Sequence, residues 1–160
     1  MVETARSSAN AMGLMQITPA TGKRVARKHG LTWNGTSQLR SAQGNLPIGT
    51  AYMRDLLEDF SQNPVLVSGA YNAGPNAVKR WLKTRPLEEA AIWIETLPYF
   101  ETRDYIPRVL AFTTIYDWRL DGQVRRISDR MPHIESGKIS SSGSAGIVCR
   151  NRDDAVIAGN

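Results

Sequence analysis

The sequence predicts an all-helical fold, and three observations support this prediction. Apolar residues recur at three- and four-residue steps, as they do along one face of a helix. Prolines, glycines and capping residues divide the chain into segments of helical length. No stretch alternates apolar and polar residues as a β-strand does. The chain has 160 residues, 41% of them apolar and 22% charged, which is enough for one globular domain with its own core.

The first two helices are separated by a polar loop. Thr18 is a suitable N-cap and Pro19 a suitable first helical residue, and Gly30 is typical of the residue that follows a helix. A second helix is predicted from about Leu46 to Phe60, because apolar residues recur there with the helical period.

Proline and glycine also mark the helices in the middle of the chain. Asn63-Pro64 is predicted to start a helix, and Gly74-Pro75 is predicted to end that helix and start the next one. A short helix is expected over residues 88–95.

The last long helix is predicted to begin near Asp104, which can act as its cap. Because proline has no backbone N–H, we expect Pro107 in the first turn. One stripe of this helix carries Tyr105, Val109, Phe112 and Tyr116. We expect the stripe to pack in the core, except for Tyr105, which is a candidate site residue.

The character of the chain changes towards its C-terminus. Nine of the 25 residues in 136–160 are serine or glycine, and this stretch has no helical period. We therefore predict a helical domain over residues 1–122 and a flexible C-terminal extension over residues 123–160.

Composition narrows the classes of function. Cys149 is the only cysteine, so an internal disulfide and a cysteine-based zinc site are excluded. With only His29 and His133, no metal site is expected, and we predict no cofactor. The net charge of +5 suits a polyanion, but no nucleic-acid-binding signature accompanies it. No transmembrane segment and no signal peptide are visible in the sequence.

Three short strings contain residues suited to binding a polar ligand. In GLMQ, residues 13–16, the amide of Gln16 either supports the backbone or meets a sugar hydroxyl or acetamido group. In SGAYNAGP, residues 68–75, small neighbours leave Tyr71 and Asn72 accessible to a ligand, unless this is a plain helical corner with Tyr71 in the core.

The third string, residues 93–110, places aromatic side chains among carboxylates and amides. This mixture suits a carbohydrate groove, because a sugar offers both apolar faces and hydroxyl groups. The alternative is a surface corner in which Glu101 and Arg103 satisfy each other or the backbone.

Together, in this order and spacing, the strings resemble the catalytic domain of soluble lytic transglycosylases, of the lysozyme-like superfamily. The resemblance runs from about Ala5 to Asp121 and includes NLPIGTAYMRDLL, which is similar to the family's Asn-x-x-Ile-Gly-Thr-x-Tyr stretch. It implies a lysozyme-like helical domain that acts as a monomer on peptidoglycan glycan strands, in the periplasm or cell envelope, and not on nucleic acid.

The resemblance also implies a reaction. The family cleaves the β-1,4 bond between N-acetylmuramic acid and N-acetylglucosamine without water and leaves a 1,6-anhydro sugar. One glutamic acid protonates the glycosidic oxygen and then, as a carboxylate, accepts the proton of the sugar's C6 hydroxyl.

The resemblance extends to individual site residues. The positions that match the family's substrate-binding residues are Ser7, Gln16, Tyr71, Asn72, Ala73, Glu95 and Tyr105. Tyr71 matches a tyrosine that supports the catalytic glutamate, and Glu95 an acidic residue that holds an N-acetyl group through its amide. Asn10 departs from the glycine that is usual at its position.

The catalytic glutamate itself is expected upstream of Met1, about fifteen residues before the glycine of GLMQ. Glu3 lies only ten residues before Gly13 and is out of register. We therefore expect no catalytic carboxylate in this chain. Three alternatives stay open: a hydrolase like goose-type lysozyme, an inactive peptidoglycan-binding module and, more remotely, a nucleic-acid-binding domain.

Overall fold

The computed structural model describes residues 3–85 and 89–134. Within these ranges the backbone forms six α-helices, two 3-10 helices and no strand, which confirms the predicted all-helical fold class. The α-helices are α1 (Pro19–His29), α2 (Ala42–Asp59), α3 (Pro64–Ala73), α4 (Pro75–Thr84), α5 (Ala90–Glu95) and α6 (Phe100–Asp121). The 3-10 helices are Thr36–Arg40 and Ile127–Arg130. No described helix is both long enough and apolar enough to cross a membrane.

The chain divides into two compact units, Met1–Asp59 and Phe60–Asn160. In the first unit, α1 has the predicted ends. The side chain of Thr18 accepts a hydrogen bond from the Thr21 N–H at 3.3 Å, and Gly30 follows the helix at φ 63°. A left-handed residue of this kind ends a helix at little cost when it is glycine.

Helix α2 begins earlier than the apolar pattern predicted. Its start at Ala42 follows Ser41, whose hydroxyl oxygen accepts a hydrogen bond from the Gly44 N–H at 3.3 Å. The predicted start near Leu46 was late, because residues 42–45 are small or polar and add nothing to the apolar period. Pro47 lies inside the helix.

A buried carboxylate on α2 joins this helix to the end of α1. Lys28 Nζ donates a hydrogen bond to Asp55 Oδ1 at 2.6 Å, and His29 Nε2 lies 2.9 Å from the same oxygen. Burial alone raises the pKa of the Asp55 carboxyl, but the contacts with Lys28 and His29 outweigh it, so the net pKa is lowered. Asp55 is therefore ionised at neutral pH.

The second unit is built around α3, which is buried over most of its length. Asn63 caps this helix, since its side-chain oxygen accepts hydrogen bonds from Val65 N at 3.0 Å and Leu66 N at 3.2 Å. Gly74 ends the helix at φ 89°, and Pro75 starts α4. Both predicted helix boundaries are confirmed. Helix α3 packs against α4 and α6.

Helix α6 differs from the prediction in two ways. It begins at Phe100 and not near Asp104, so Pro107 lies in the helix interior. The predicted core stripe is also wrong for Phe112 and Tyr116, which are 59% and 65% exposed. The buried residues of the helix are Thr102, Ile106 and Leu110. The buried side of α6 therefore consists of residues four apart, beginning with Thr102.

Part of the predicted C-terminal extension is described. Residues 123–134 contain the second 3-10 helix, and Arg130, which is buried, donates a hydrogen bond to Asp117 of α6. The predicted flexibility of residues 135–160 concerns a segment that lies outside the described residues.

We predict that Asp55 makes the stability of the first unit sensitive to acid. Because its pKa is lowered from 3.8, its contribution to the free energy of unfolding is present above pH 3.8 and is lost as the pH falls through the lower folded-state pKa. Asp55→Asn should lower the free energy of unfolding by about 1–3 kcal/mol at pH 7. Urea denaturation at several pH values measures both effects. The control is Glu58→Gln, a substitution at an exposed position of the same helix. If the free energy of unfolding of Asp55→Asn depends on pH in the same way as that of the wild type, the prediction is wrong.

Candidate functional site

The GLMQ string lies in a tightly turned loop at the start of the first unit. The Gly13 N–H donates to the Ala5 carbonyl at 2.9 Å, and Met12 and Ile17 exchange two backbone hydrogen bonds at 3.0 Å. Gly13 has φ 73°, and a side chain on it would overlap the Leu39 carbonyl. Glycine is therefore required at this position for conformation and for space.

A single buried side chain, Asn45 of α2, holds this loop in place. Its Oδ1 accepts a hydrogen bond from the Met15 N–H at 2.8 Å. Its Nδ2 donates to the carbonyl oxygens of Met12 and Leu39, both at 2.9 Å. Asn45 is fully buried, so these bonds satisfy polar groups that water does not reach. The sequence had placed Asn45 in a family-like stretch without assigning it a role.

Gln16 combines the two interpretations that the sequence left open. Its backbone is left-handed, with φ 47°, and its Nε2 donates to the carbonyls of Gly13 at 2.8 Å and Ala5 at 3.4 Å. The side chain therefore does support the backbone. No hydrogen bond from a described residue reaches Oε1, so this oxygen can accept one from a ligand.

Ser7 and Asn10 shape the preceding turn. Ser7 Oγ accepts a hydrogen bond from the Ala11 N–H at 3.0 Å. Asn10 has φ 62°, and its side-chain oxygen accepts from Arg6 Nε at 2.9 Å. This positive φ explains why asparagine can replace the usual glycine here, since asparagine tolerates the left-handed region better than other side chains do.

In the second unit, the predicted residues Tyr71, Asn72 and Ala73 form the last turn of α3 and are half-buried. Asn72 is held from both ends of its amide. Its Nδ2 donates to Glu101 Oε1 at 3.0 Å, and Thr102 Oγ1 donates to its Oδ1 at 2.6 Å. The α3 turn and the first turn of α6 therefore form one polar cluster.

Sequence reasoning missed the role of Glu101 in this cluster. The alternative interpretation was that Glu101 and Arg103 satisfy each other or the backbone, but in the structure Glu101 accepts a hydrogen bond from Asn72. Arg103 donates to the backbone oxygen of Glu95 at 3.3 Å, which agrees with the backbone alternative for this residue. If α6 had been predicted to begin at Phe100, Glu101 and Thr102 would both have been expected in its first turn, where both contact Asn72.

Two other predicted residues lie outside this hydrogen-bonded cluster. The Glu95 side chain is exposed at the end of α5, and no hydrogen bond joins it to Asn72 within the described residues. Tyr105 is half-buried on α6, and burial raises the pKa of its hydroxyl, which is therefore a hydrogen-bond donor at neutral pH. That Gln16 and Tyr71 act on the same ligand stays a prediction.

The family with the description "Transglycosylase SLT domain" matches residues 1–94. A putative soluble lytic murein transglycosylase of Haemophilus influenzae is 38% identical over 114 residues, which are 70% of this chain and 19% of that protein. The soluble lytic murein transglycosylase of Salmonella typhimurium is 35% identical over 113 residues, or 69% and 18% of the two chains.

Solved structures agree with these relatives. Slt of Pseudomonas aeruginosa, an inactive mutant with glutamine in place of a glutamate, has a TM-score of 0.70 and 41% identity, covering 76% of this chain and 20% of that one. The soluble lytic transglycosylase SLT70 of Escherichia coli has a TM-score of 0.70 and 30% identity, covering 81% and 21%.

The chain belongs to the transglycosylase SLT domain family, as the three strings had predicted. It spans about a fifth of the length of the relatives it matches.

We predict that Asn45→Ala strongly destabilises the first unit. The change leaves one N–H and two carbonyl groups without their partner, and each buried unsatisfied group costs about 1–3 kcal/mol. We expect a loss of at least about 2 kcal/mol in the free energy of unfolding, measured by urea denaturation. Gln43→Ala, exposed in the first turn of the same helix, should change it by less than about 0.5 kcal/mol. Equal effects of the two changes would contradict the prediction.

Proposed function

We propose that this chain supplies the glycan-binding surface of a peptidoglycan lytic transglycosylase. The enzyme cleaves the bond from N-acetylmuramic acid to N-acetylglucosamine and forms a 1,6-anhydro sugar. The observation that carries this proposal is membership of the transglycosylase SLT domain family, with 38% identity to a protein named as a putative soluble lytic murein transglycosylase. Peptidoglycan strands are then the partner, and the periplasm or cell envelope is the location.

In the proposed reaction a protonated glutamic acid gives its proton to the glycosidic oxygen, and the bond from that oxygen to C1 of the muramic acid breaks. The resulting carboxylate accepts the proton of the C6 hydroxyl, whose oxygen then bonds to C1. No water is consumed. The inactivity of the Pseudomonas relative with glutamine in place of a glutamate supports dependence on a glutamate.

We propose that this general acid is none of four candidate carboxylates, Glu3, Asp55, Glu95 and Glu101. A general acid must stay protonated, which needs a poorly solvated site without a neighbouring cation. Glu3, Glu95 and Glu101 are exposed to water. Asp55 is buried, but Lys28 and His29 keep it ionised. The same observations favour a second candidate function, that of a peptidoglycan-binding module without activity of its own.

The proposed binding roles follow the positions that match the family's substrate-binding residues. Gln16 accepts a hydrogen bond from a sugar hydroxyl or acetamido N–H through Oε1. In the second unit, Asn72, which is fixed by Glu101 and Thr102, contacts the sugar together with Tyr71, Ala73 and Tyr105. In the first unit, Ser7 is the further proposed contact beside Gln16. Glu95, whose side chain is exposed, accepts a hydrogen bond from the amide N–H of an N-acetyl group of the sugar.

We predict that Gln16→Ala weakens the binding of N-acetylglucosamine tetramer about tenfold, because loss of one hydrogen bond of about 1.4 kcal/mol corresponds to that factor. Isothermal titration calorimetry on the 160-residue chain measures the dissociation constant. Gln43→Ala, an exposed glutamine in the same unit, should leave it unchanged. Equal affinity of wild type and Gln16→Ala would remove Gln16 from the site.

We predict that this chain releases no anhydro-muropeptides from purified peptidoglycan above background. General acid–base catalysis contributes about 10²–10⁴-fold, and here one residue would serve both proton transfers. Mass spectrometry of the digest distinguishes the anhydro product from a hydrolytic product, which is heavier by one water. Release by wild type that Glu3→Gln abolishes would instead make Glu3 the general acid.

A further inference from the structure

Helix α1 carries five basic side chains, and only two of them contact a carboxylate among the described residues. Lys28 and His29 both contact Asp55. Lys23, Arg24 and Arg27 of the same helix form no ion pair with any described carboxylate. The helix itself contains no acidic residue. Cations at positions i and i+4, such as Lys23 and Arg27, repel each other. An anionic ligand would remove this cost.

The three cations line an open cavity of about 440 Å³ in the first unit, which we name the α1 basic pocket. Its lining residues are Ala20, Lys23, Arg24, Arg27, Leu31 and Trp33. The four lining residues on α1 are spaced at three- and four-residue steps, so they lie on one face of the helix. None of the residues predicted from the sequence to bind substrate is among them.

Two contacts hold the walls of the α1 basic pocket in place. The indole of Trp33 packs against Gly22, where an added Cβ would lie 2.8 Å from the ring. The guanidinium carbon of Arg24 lies 5.6 Å from the centre of the Tyr52 ring, a distance typical of a cation–π contact. An aromatic plane and a guanidinium are therefore both positioned without a ligand.

We propose that the α1 basic pocket binds a carboxylate-bearing saccharide, with a sugar ring against Trp33 and the carboxylate at Arg24 and Arg27. An indole offers an apolar face to the C–H groups of a sugar, and a guanidinium matches a carboxylate with two parallel hydrogen bonds. Trp33 and Leu31 are half-buried and give the pocket an apolar wall, which favours a ligand with an apolar face over a small inorganic anion.

Peptidoglycan supplies this chemistry, because the stem peptides attached to its muramic acid rings carry free carboxylates, and a muramic acid without a peptide carries a free lactyl carboxylate. The choice of peptidoglycan as the source rests on the proposed function. The pocket would then bind a charged part of the strand, whereas the Gln16 amide binds neutral sugar groups. Uronic-acid polysaccharides carry the same chemistry from another source.

The test is an NMR titration of the 160-residue chain, followed at the Trp33 indole N–H and the Gln16 side-chain amide. Trp33→Phe assigns the indole signal. The probes are N-acetylglucosaminyl-N-acetylmuramyl dipeptide, the same compound with its carboxylates amidated, galacturonic acid trimer, N-acetylglucosamine tetramer, inorganic phosphate and a thymidine oligonucleotide. We expect the muramyl dipeptide to shift the Trp33 signal saturably, and the amidated compound to do so at least about tenfold more weakly.

Two pairs of substitutions make the test specific. Arg24→Gln with Arg27→Gln should weaken the effect of the dipeptide on Trp33 about tenfold, and Lys23→Gln with Arg27→Gln, which keeps the Arg24–Tyr52 contact, should weaken it in the same direction. The control is Arg80→Gln with Lys83→Gln, which removes the same charge from exposed positions on α4. It should leave the effect of the dipeptide on the Trp33 signal unchanged. Circular dichroism checks that each variant is folded.

Several results would overturn the proposal. These are equal binding of the charged and amidated compounds, wild-type binding by both pocket variants, or an equal loss in the α4 control. Tighter binding of the oligonucleotide, or binding of phosphate as strong as that of the dipeptide, would overturn the saccharide assignment, and tighter binding of galacturonate would overturn peptidoglycan as the source. A shift at Gln16 without one at Trp33 would refute only the pocket. The absence of any shift at Gln16 with the neutral tetramer would count against the proposed function.

Discussion

The buried amide of Asn45 is the interaction on which the geometry of the first unit depends most. Its three hydrogen bonds join α2 to the loop at Met12 and Met15 and to the end of the first 3-10 helix at Leu39. These partners are far apart in the sequence, and no water competes for them. Since an unpaired buried polar group is costly, the loop has one favourable arrangement, and that arrangement sets the position of Gln16.

Close packing around the same loop restricts the residues that can occupy it. Gly13 lies so near Leu39 and Asn45 that a side chain would not fit, and Gly49 of α2 makes room for the side chain of Met15. Asparagine, glycine and glutamine therefore act together. Asn45 supplies the hydrogen bonds, Gly13 permits the close approach, and Gln16 supports the backbone through its amide nitrogen.

The second unit uses helix ends to position polar side chains. Asn63 and Gly74 set the two ends of α3, which places Asn72 in the last turn of the helix. The first turn of α6 then fixes the Asn72 amide through Glu101 and Thr102. A side chain held at both ends of its amide loses little conformational entropy when it binds a ligand, which is an advantage for recognition of a sugar.

The sequence by itself determined the features that depend on a few neighbouring residues. The ends of α1 and α3 and the start of α4 follow from Thr18, Asn63, the glycines and the prolines, because capping is a local interaction. The family also followed from the sequence, since the order and spacing of short strings are properties of the chain alone.

Only the tertiary structure decided which groups meet. The pairing of Glu101 with Asn72 and the bonds of Asn45 to Met12 and Met15 join residues that are distant in the chain, and Trp33 contacts Gly22 on another element. The exposed side of α6 could not be predicted either. An apolar stripe indicates a face that is able to be buried, but only the packing of the neighbouring elements decides how much of that face they cover.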